Sequence, residues 1–355
     1  MRSSNNKLGI NTFSSVYNRV FQLAIVVLAT ELIVACSRGD HEPAYRSTVI
    51  VTEPGSLAEI VPPNQREKVT TLTIEGYLNG DDIAYIRQMP ELRELNLEKA
   101  ILPNNHLPPN AFSSHKRLES AILPSSLDSI GDSAFRWCER LQSLYLPSTL
   151  ISISPYAFAG CENLHDIDLP ASLRHLGKYA FSGCKSLLLI NIPSTLTTID
   201  EYTFYRCASL AEINIPYNIR QIGYKAFSGC SRLRAIRIPS TVVYVGIAAF
   251  EDCIELTDIS WPTSLTRIEY QTFAGCLSLT TITLHSKLTA IGNYAFDGCK
   301  NLVEIHSQNN TPPQIGEGTF RSVNRKACRV VVPSERARKS YNTALYWSEF
   351  TIYVE

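Results

Sequence analysis

The chain contains 355 residues, with 33 Lys and Arg against 33 Asp and Glu, 45% hydrophobic residues and 10 cysteines. Because the charges balance, we expect no basic surface of the kind that attracts nucleic acid, and no nucleic-acid partner. A globular chain of this length would form two or three domains, but its internal repeats predict one continuous domain.

The amino-terminal segment has the features of an export signal. Basic residues precede an apolar run over residues 21–34, which is short for a membrane span but suits the apolar region of a signal peptide. The run ends in Ile33-Val34-Ala35-Cys36, which resembles the lipobox of bacterial lipoproteins. The resemblance implies a signal peptide over 1–35, a lipid on Cys36 and a polar tether over 36–47. The alternative is an amino-terminal helix with an incidental cysteine.

Residues 48–110 are predicted to form an amino-terminal cap with atypical repeats. Val69-x-x-Leu72-x-Ile74 and Leu92-x-x-Leu95-x-Leu97 are strand-like and lie 23 residues apart. A helix is predicted between Asp81 and Met89. The segment lacks the Phe and Cys columns described next, as expected of a cap that shields the core of a terminal coil.

Two residue types recur every 23 residues through the middle of the chain. The cysteines are Cys138, Cys161, Cys184, Cys207, Cys230, Cys253, Cys276 and Cys299. The phenylalanines are Phe112, Phe135, Phe158, Phe181, Phe204, Phe227, Phe250, Phe273 and Phe296. This regularity predicts a solenoid in which both columns stack inside the coils.

The repeating unit predicts a leucine-rich-repeat solenoid. Its outline, Leu-x-x-Ile-x-Ile-Pro-x-x-Leu-x-x-Ile-Gly-x-x-Ala-Phe-x-x-Cys, alternates apolar and polar residues as a strand with one buried face does. Each 23-residue coil would contain one short parallel strand and an irregular or short helical return segment. The proline would help to end the strand. We predict these repeats over 111–306, with caps at both ends.

The unit resembles the treponemal-type leucine-rich repeat of BspA-like bacterial surface proteins, over about residues 100–306. Glycines recur at one place in the return segment, where we expect a turn with unusual backbone angles. They are Gly131, Gly177, Gly223, Gly246 and Gly292. Residues 307–355 resemble the closing segment of such proteins, and Trp347 and Phe350 are predicted to plug the last coil.

No enzyme or cofactor motif is found. The histidines are scattered, and neither a phosphate-binding loop nor a nucleophile and base arrangement is recognisable. The Cys column has no Cys-x-x-Cys spacing for a metal. Stacked coils would bring its members within disulfide distance, but parallel side chains in an apolar core favour buried free thiols. We therefore predict no enzyme, no metal and no cofactor.

The outward positions of the strands form a predicted binding face. Its members are Tyr145, His165, Asp166, Asp168, Asn191, Glu212, Asn214, Arg234, Arg237 and Asp258. An acidic patch at Asp166 and Asp168 would lie three strands from a basic patch at Arg234 and Arg237, and could bind a partner of complementary charge. The alternatives are a cation site or acid–base pair at His165, Asp166 and Asp168, or ordinary solubilising charges.

A column of tyrosines precedes the phenylalanines, at Tyr156, Tyr179, Tyr202 and Tyr294. They could form an aromatic stripe for ligand stacking, although half-buried packing between coils also accounts for them.

Two functions fit these patterns. The first is a lipid-anchored cell-envelope protein, on the outer membrane and either surface-exposed or periplasmic, which binds a protein or glycan on a concave sheet. The resemblance to BspA-like proteins implies adhesion. The second is an envelope structural or assembly protein associated with a neighbouring complex.

Overall fold

The computed structural model describes residues 45–355, so the predicted signal peptide, Cys36 and most of the predicted tether lie outside the described range. Within that range the chain forms a parallel β-solenoid of about 13 turns. The 23-residue period is therefore the length of one coil, as the sequence predicts.

One strand from nearly every coil belongs to a row that we name the primary ladder, which is divided into four parallel sheets, over 45–145, 189–214, 235–260 and 281–354. Its strands pair in parallel, so that Glu94, Ser120 and Ser143 lie side by side. The strands are Tyr45–Val51, Val69–Tyr77, Glu94–Asn96, Ser120–Ile122, Ser143–Tyr145, Leu189–Asn191, Glu212–Asn214, Ala235–Arg237, Asp258–Ser260, Thr281–Leu284, Glu304–Ser307, Arg329–Val332 and Thr351–Val354. A further strand, Ala100–Ile101, pairs with the end of Val69–Tyr77.

The coil at 164–169 is an exception in the primary ladder. It contains no strand among the described residues, and Asp166 joins Ser143 through an isolated parallel bridge. Its apolar side chains are nevertheless in place, with Leu164, Ile167 and Leu169 buried. The core therefore continues through a coil whose strand pairing is weak.

The return segments contain short strands rather than the helical turns that the sequence analysis allowed. These strands form a secondary ladder of two-residue members. They are His106–Leu107, Ser129–Ile130, Ser152–Ile153, His175–Leu176, Thr198–Ile199, Gln221–Ile222, Tyr244–Val245, Arg267–Ile268, Ala290–Ile291 and Gln314–Ile315. Each coil therefore contains two strand positions, separated by the turn that follows the proline.

Each return segment then makes two tight turns. Residues four places apart have positive φ angles, as at Tyr156 (57°) and Gly160 (77°). The backbone N–H groups of Tyr156, Phe158 and Gly160 donate to the carbonyls of Lys178, Ala180 and Ser182 in the next coil, at 3.0, 2.9 and 2.7 Å. The turns are therefore tied to the neighbouring coil by a third row of hydrogen bonds, which satisfies buried backbone donors.

The phenylalanine column is the centre of the core. All nine predicted members are buried, and consecutive rings lie 5.2 to 5.8 Å apart. Phe320 extends the stack, 5.3 Å beyond Phe296, and was not predicted because its spacing is 24 residues. Each buried ring contributes about 2 kcal/mol of transfer free energy.

The cysteine column lies beside it. All eight thiols are buried and free. Each donates a hydrogen bond to the phenylalanine carbonyl of the preceding coil, for example from Cys138 Sγ to Phe112 O at 3.0 Å and from Cys161 Sγ to Phe135 O at 3.1 Å. A cysteine suits this position because it is small, largely apolar and still a weak donor.

The recurring glycines do not have the unusual backbone angles that were expected of them. Gly131, Gly177 and Gly223 have no left-handed φ; instead, a Cβ atom on Gly177 would lie 2.5 Å from the Pro155 backbone nitrogen. The same close approach occurs at Gly246 and Gly292. These glycines are needed because neighbouring backbones touch at that point, and the prediction of strained angles was wrong.

The amino-terminal cap contains the predicted helix, Gly80–Arg87, and two single turns, Leu57–Ile60 and Pro63–Arg66. Buried Asp82 accepts backbone hydrogen bonds from Gly55, Leu57 and Asn79 at 2.7, 3.0 and 2.9 Å. An additional strand, Tyr45–Val51, was not predicted, and its first residues overlap the predicted tether. A 3₁₀ turn, Pro103–Asn105, leads to the first regular coil.

The carboxyl-terminal cap closes the other end. It contains the helix Glu335–Thr343, the 3₁₀ turn Trp347–Glu349 and the last strand. Trp347 and Phe350 are buried and pack on Phe320, with ring centroids 5.7 and 5.4 Å away. The indole N–H of Trp347 donates to the Pro313 carbonyl at 2.8 Å. The predicted plug is confirmed.

Candidate functional site

The ten residues of the predicted binding face are all exposed. Their exposure follows from the strand register, in which equivalent residues of neighbouring coils pair, such as Asn191 with Asn214. Side chains along each strand alternate between the two faces, so that Ile190 and Ile236 are buried while their outward neighbours are exposed. The outward positions of successive coils thus form one continuous surface, which we name the ladder face. Its use for binding is a prediction that the geometry permits.

Tyr145, Asp166 and Asp168 form a cluster on two neighbouring coils of this face. Partial burial raises the pKa of the Tyr145 hydroxyl, and the charges of Asp166 and Asp168 raise it further. A neutral phenol beside two carboxylates is a hydrogen-bond donor next to acceptors. This arrangement suits a cationic or donor-rich group on a partner.

The basic part of the ladder face is less available than predicted. Arg234 Nε lies 3.1 Å from a Glu255 carboxylate oxygen, and both side chains are exposed. Such an exposed pair contributes little to stability, but it partly compensates the positive charge. Arg237 is therefore the more available cation of the predicted pair.

The sequence analysis missed an apolar element of the face. Leu188 and Leu189 are 55% and 54% exposed, and Leu189 pairs with Glu212 in the ladder. They lie on the coil of Asn191, which follows the acidic coil and precedes the coil of Asn214. The repeat does predict that Leu189 faces outward, because it occupies the same position as Asp166 in the coil before it. It was not included in the binding face because an apolar side chain is normally expected in the core.

The remaining chemistry of the described residues does not suggest a catalytic centre. No group of three His, Cys, Asp or Glu side chains within 45–355 could hold a metal ion. Burial raises the pKa of the Cys138 and Cys299 thiols to about 12, whereas a nucleophilic cysteine requires a lowered pKa. His165 lies exposed beside Asp166 and Asp168 without forming such a cluster.

The tyrosine column is partly a packing feature. Tyr156, Tyr179 and Tyr202 are half-buried and stack in sequence, with centroids 4.5 and 4.3 Å apart. Their ring faces are occupied by one another, so they do not offer the stacking platform that one alternative required. Tyr294 instead contacts Tyr270 edge-on at 5.7 Å.

No helix within residues 45–355 is long and apolar enough to cross a membrane.

The chain is similar to solved structures from several bacteria. A leucine-rich repeat protein from Bacteroides ovatus is 24% identical, with a TM-score of 0.61 over 74% of this chain and 69% of that one. A leucine-rich cell surface protein from Faecalibacterium prausnitzii is 19% identical, with a TM-score of 0.42 over 90% and 86%. The pneumococcal vaccine antigen PcpA is 21% identical, with a TM-score of 0.47 over 81% and 79%. At these identities the first similarity shows the fold alone, and the others carry no argument.

None of the curated proteins matches the chain in sequence. The family model described as the BspA type leucine-rich repeat region, present in six copies, matches residues 105–234 and 220–340. These ranges include every regular coil, with its Phe, Cys and Pro columns. The chain therefore belongs to the BspA-type leucine-rich-repeat family.

Proposed function

We propose that the protein is a lipid-anchored adhesion or binding protein of the cell envelope, which recognises a protein or glycan partner on the ladder face. The family supports a surface interaction role, and a leucine-rich-repeat solenoid is typically a binding scaffold rather than an enzyme. The outer membrane is the proposed location.

The observation that carries the proposal is the contrast between fixed and variable columns. The Phe and Cys columns repeat without change through eight coils, while the outward position of consecutive coils carries Tyr145, Asp168, Asn191, Asn214 and Arg237. Because each exposed residue contributes little to the core, the face can differ from coil to coil at little cost in stability. Such a surface suits recognition of an extended partner.

The proposal is tested by a binding screen of the purified protein against immobilised extracellular-matrix proteins and a glycan array. Any ligand found is then measured with two charge-reversal variants, Asp166→Lys with Asp168→Lys, and Arg237→Glu. We expect at least a tenfold change in affinity and an altered salt dependence in one or both. Glu335→Lys, on the carboxyl-terminal helix, is the matched control.

Unchanged binding by both folded variants would remove the site from the ladder face. Protease treatment of intact cells distinguishes the two envelope functions: loss of the protein supports a surface adhesin, and full protection supports a periplasmic assembly role.

The lipid anchor gives a separate prediction. Replacing Cys36 with Ser should move the protein from the membrane fraction to the soluble fraction, because the acylated side chain is lost. Ser37→Ala is the control and should stay with the membranes. A Cys36→Ser protein that is still retained there, with its amino end uncleaved, would contradict lipidation.

A further inference from the structure

The two residues before each cysteine lie at the second tight turn of the return segment, away from the ladder face. In four consecutive coils these pairs are Arg136-Trp137, Ala159-Gly160, Ser182-Gly183 and Tyr205-Arg206. The two middle coils therefore carry small residues at these positions, and the coils on either side of them carry large ones. The result is a cavity of about 340 Å³, which we name the aromatic groove, lined by these residues together with Tyr156, Glu162, Tyr179 and Lys185.

Trp137 forms one side of the groove as a fixed platform. A Cβ atom on Gly160 would lie 2.2 Å from the indole Cε3 atom, so the ring rests directly on the glycine backbone. Gly160 is buried by this contact, whereas Trp137 is 45% exposed. The indole is thus held in place through one surface while much of it stays open to solvent.

The floor of the groove lies one coil further on. The atoms nearest a Cβ on Gly183 would be those of the Gly160 backbone, at 3.7 Å, and Gly183 is half-exposed. In the same column the neighbouring coils place Trp137 and Arg206, whose φ angles of 60° and 57° show that side chains are accommodated there. The open floor therefore arises from the choice of glycine rather than from a requirement of the fold.

The groove carries an excess of positive charge. The Arg136 guanidinium lies over Trp137 and Tyr156, 5.8 and 5.1 Å from the ring centroids, and its buried Nε has no hydrogen-bond partner. Arg206 lies over Tyr205 at 5.1 Å. Within residues 45–355 neither guanidinium has a carboxylate at ion-pair distance. The remaining charges, Lys185 and Glu162, pair with each other at 2.7 Å.

The backbone of the groove offers no free edge to a peptide strand. The N–H groups of Gly160 and Gly183 already donate to the Ser182 and Tyr205 carbonyls, both at 2.7 Å. Strand addition requires unpaired backbone groups, so a ligand must bind through the aromatic surface and the side chains. A ring with one apolar face, hydroxyl groups and a negative charge meets those requirements.

We propose that the aromatic groove binds a saccharide that carries a carboxylate. The apolar face of the sugar ring packs on Trp137, and the carboxylate accepts hydrogen bonds from the guanidinium group of Arg206 at the other end of the groove. Trp137 and Arg206 are three coils apart, roughly 14 Å at the strand spacing, which leaves space for one or two sugar rings. This site is separate from the ladder face and does not depend on the function proposed for it.

The test is a titration of the full-length protein with oligosaccharides containing galacturonate, glucuronate or sialic acid, each beside its neutral counterpart. Binding is followed by calorimetry and by tryptophan fluorescence, to which Trp137 contributes the most exposed indole of the three. We expect at least one acidic saccharide to bind at least tenfold more tightly than its neutral counterpart, with a change in emission.

Three variants locate the site. Trp137→Ala should abolish binding, and Trp137→Phe should restore part of it by providing a smaller ring. Arg206→Gln should remove the preference for acidic over neutral saccharides. Gly183→Asp should reduce affinity at least tenfold, because it places a carboxylate on the floor, and Gly298→Asp in a distant coil of the same column is its control.

The proposal is overturned if none of the acidic saccharides binds at millimolar concentration, or if binding survives Trp137→Ala and Gly183→Asp in folded protein. Tighter binding of a nucleoside monophosphate or an acidic peptide, measured by competition in the same assay, would also overturn it.

Discussion

At the scale of single residues, the cysteines illustrate how one side chain meets two requirements. Their column must fit between stacked coils, and it must also satisfy the phenylalanine carbonyls, as Cys207 Sγ does with Phe181 O at 3.2 Å. Burial raises the pKa of these thiols, to about 12 at Cys138. The thiolate is the reactive form of cysteine, so reactivity should be suppressed throughout the column.

We therefore expect the eight column thiols to resist alkylation in the native protein and to react fully after unfolding in denaturant. Mass spectrometry of peptides from the two samples measures the difference. Rapid native labelling, or recovery of peptides joined by cystine, would contradict the buried free thiols. Peptides containing the column cysteines, such as Cys184 and Cys253, are suitable reporters because both thiols are fully buried.

The phenylalanine column gives a second prediction at this scale. Phe204 is fully buried between Phe181 and Phe227, at 5.8 and 5.4 Å, so Phe204→Ala should leave a cavity and lower the free energy of unfolding by about 3–5 kcal/mol. Urea denaturation measures the loss. Tyr217→Ala, at a 74% exposed position, should have little effect. A loss below about 1 kcal/mol for Phe204→Ala would argue against the buried column.

At the scale of the secondary-structure elements, contact between neighbouring return segments limits which residues fit. Gly177 lies against the Pro155 backbone, while the same column carries Ser154, Asp200 and Glu269 in other coils. Those coils accommodate a Cβ atom at the equivalent position. The column thus records local spacing between coils and not one obligatory backbone conformation.

We expect Gly177→Ala to destabilise the protein by about 1–3 kcal/mol, because its Cβ would overlap neighbouring backbone atoms. Ser154→Ala, at the equivalent position one coil earlier, should change stability by less than about 0.5 kcal/mol. Thermal unfolding of both variants tests the difference. Equal stability of the two proteins would show that the return segments separate without cost.

The periodic features were the most predictable from the sequence. The Phe and Cys columns and the alternation along the strands follow from apolar spacing, whereas the closing role of Trp347 follows from the resemblance of residues 307–355 to the closing segment of BspA-like proteins. The structure confirms all three. The glycine angles could not be inferred in this way, because the limiting distance at Gly177 is to a residue of another coil. The outward Leu189 was missed for a different reason, since its apolar character conflicts with its register.

At the scale of the whole molecule, each coil is stabilised chiefly by contact with its neighbours, so unfolding is expected to begin at an end that has lost its cap. Trp347 covers the end of the phenylalanine stack and contacts Phe320 and Tyr341, at 5.7 and 5.1 Å. Its removal would expose the last ring of the column. The consequence should be greatest in the coils nearest the carboxyl end.

Trp347→Ala should therefore cost about 3–5 kcal/mol and increase proteolysis first after about residue 300. Limited proteolysis with mapping of the cleavage sites is the measurement. Leu345→Ala, at a 74% exposed neighbouring position, is the control. Uniform cleavage along the chain would show that the cap does not protect one end.

The single bridge at Asp166 has a dynamic consequence for the ladder face. Backbone amides exchange with solvent through local opening, and a coil with one bridge opens more readily than one with a paired strand. The phenylalanine stack holds the interior of this coil, with Phe158 and Phe181 buried on either side of it. The acidic cluster therefore lies on a weakly paired coil, and contact with a partner is expected to give this coil strand-like order while its buried side chains stay in place.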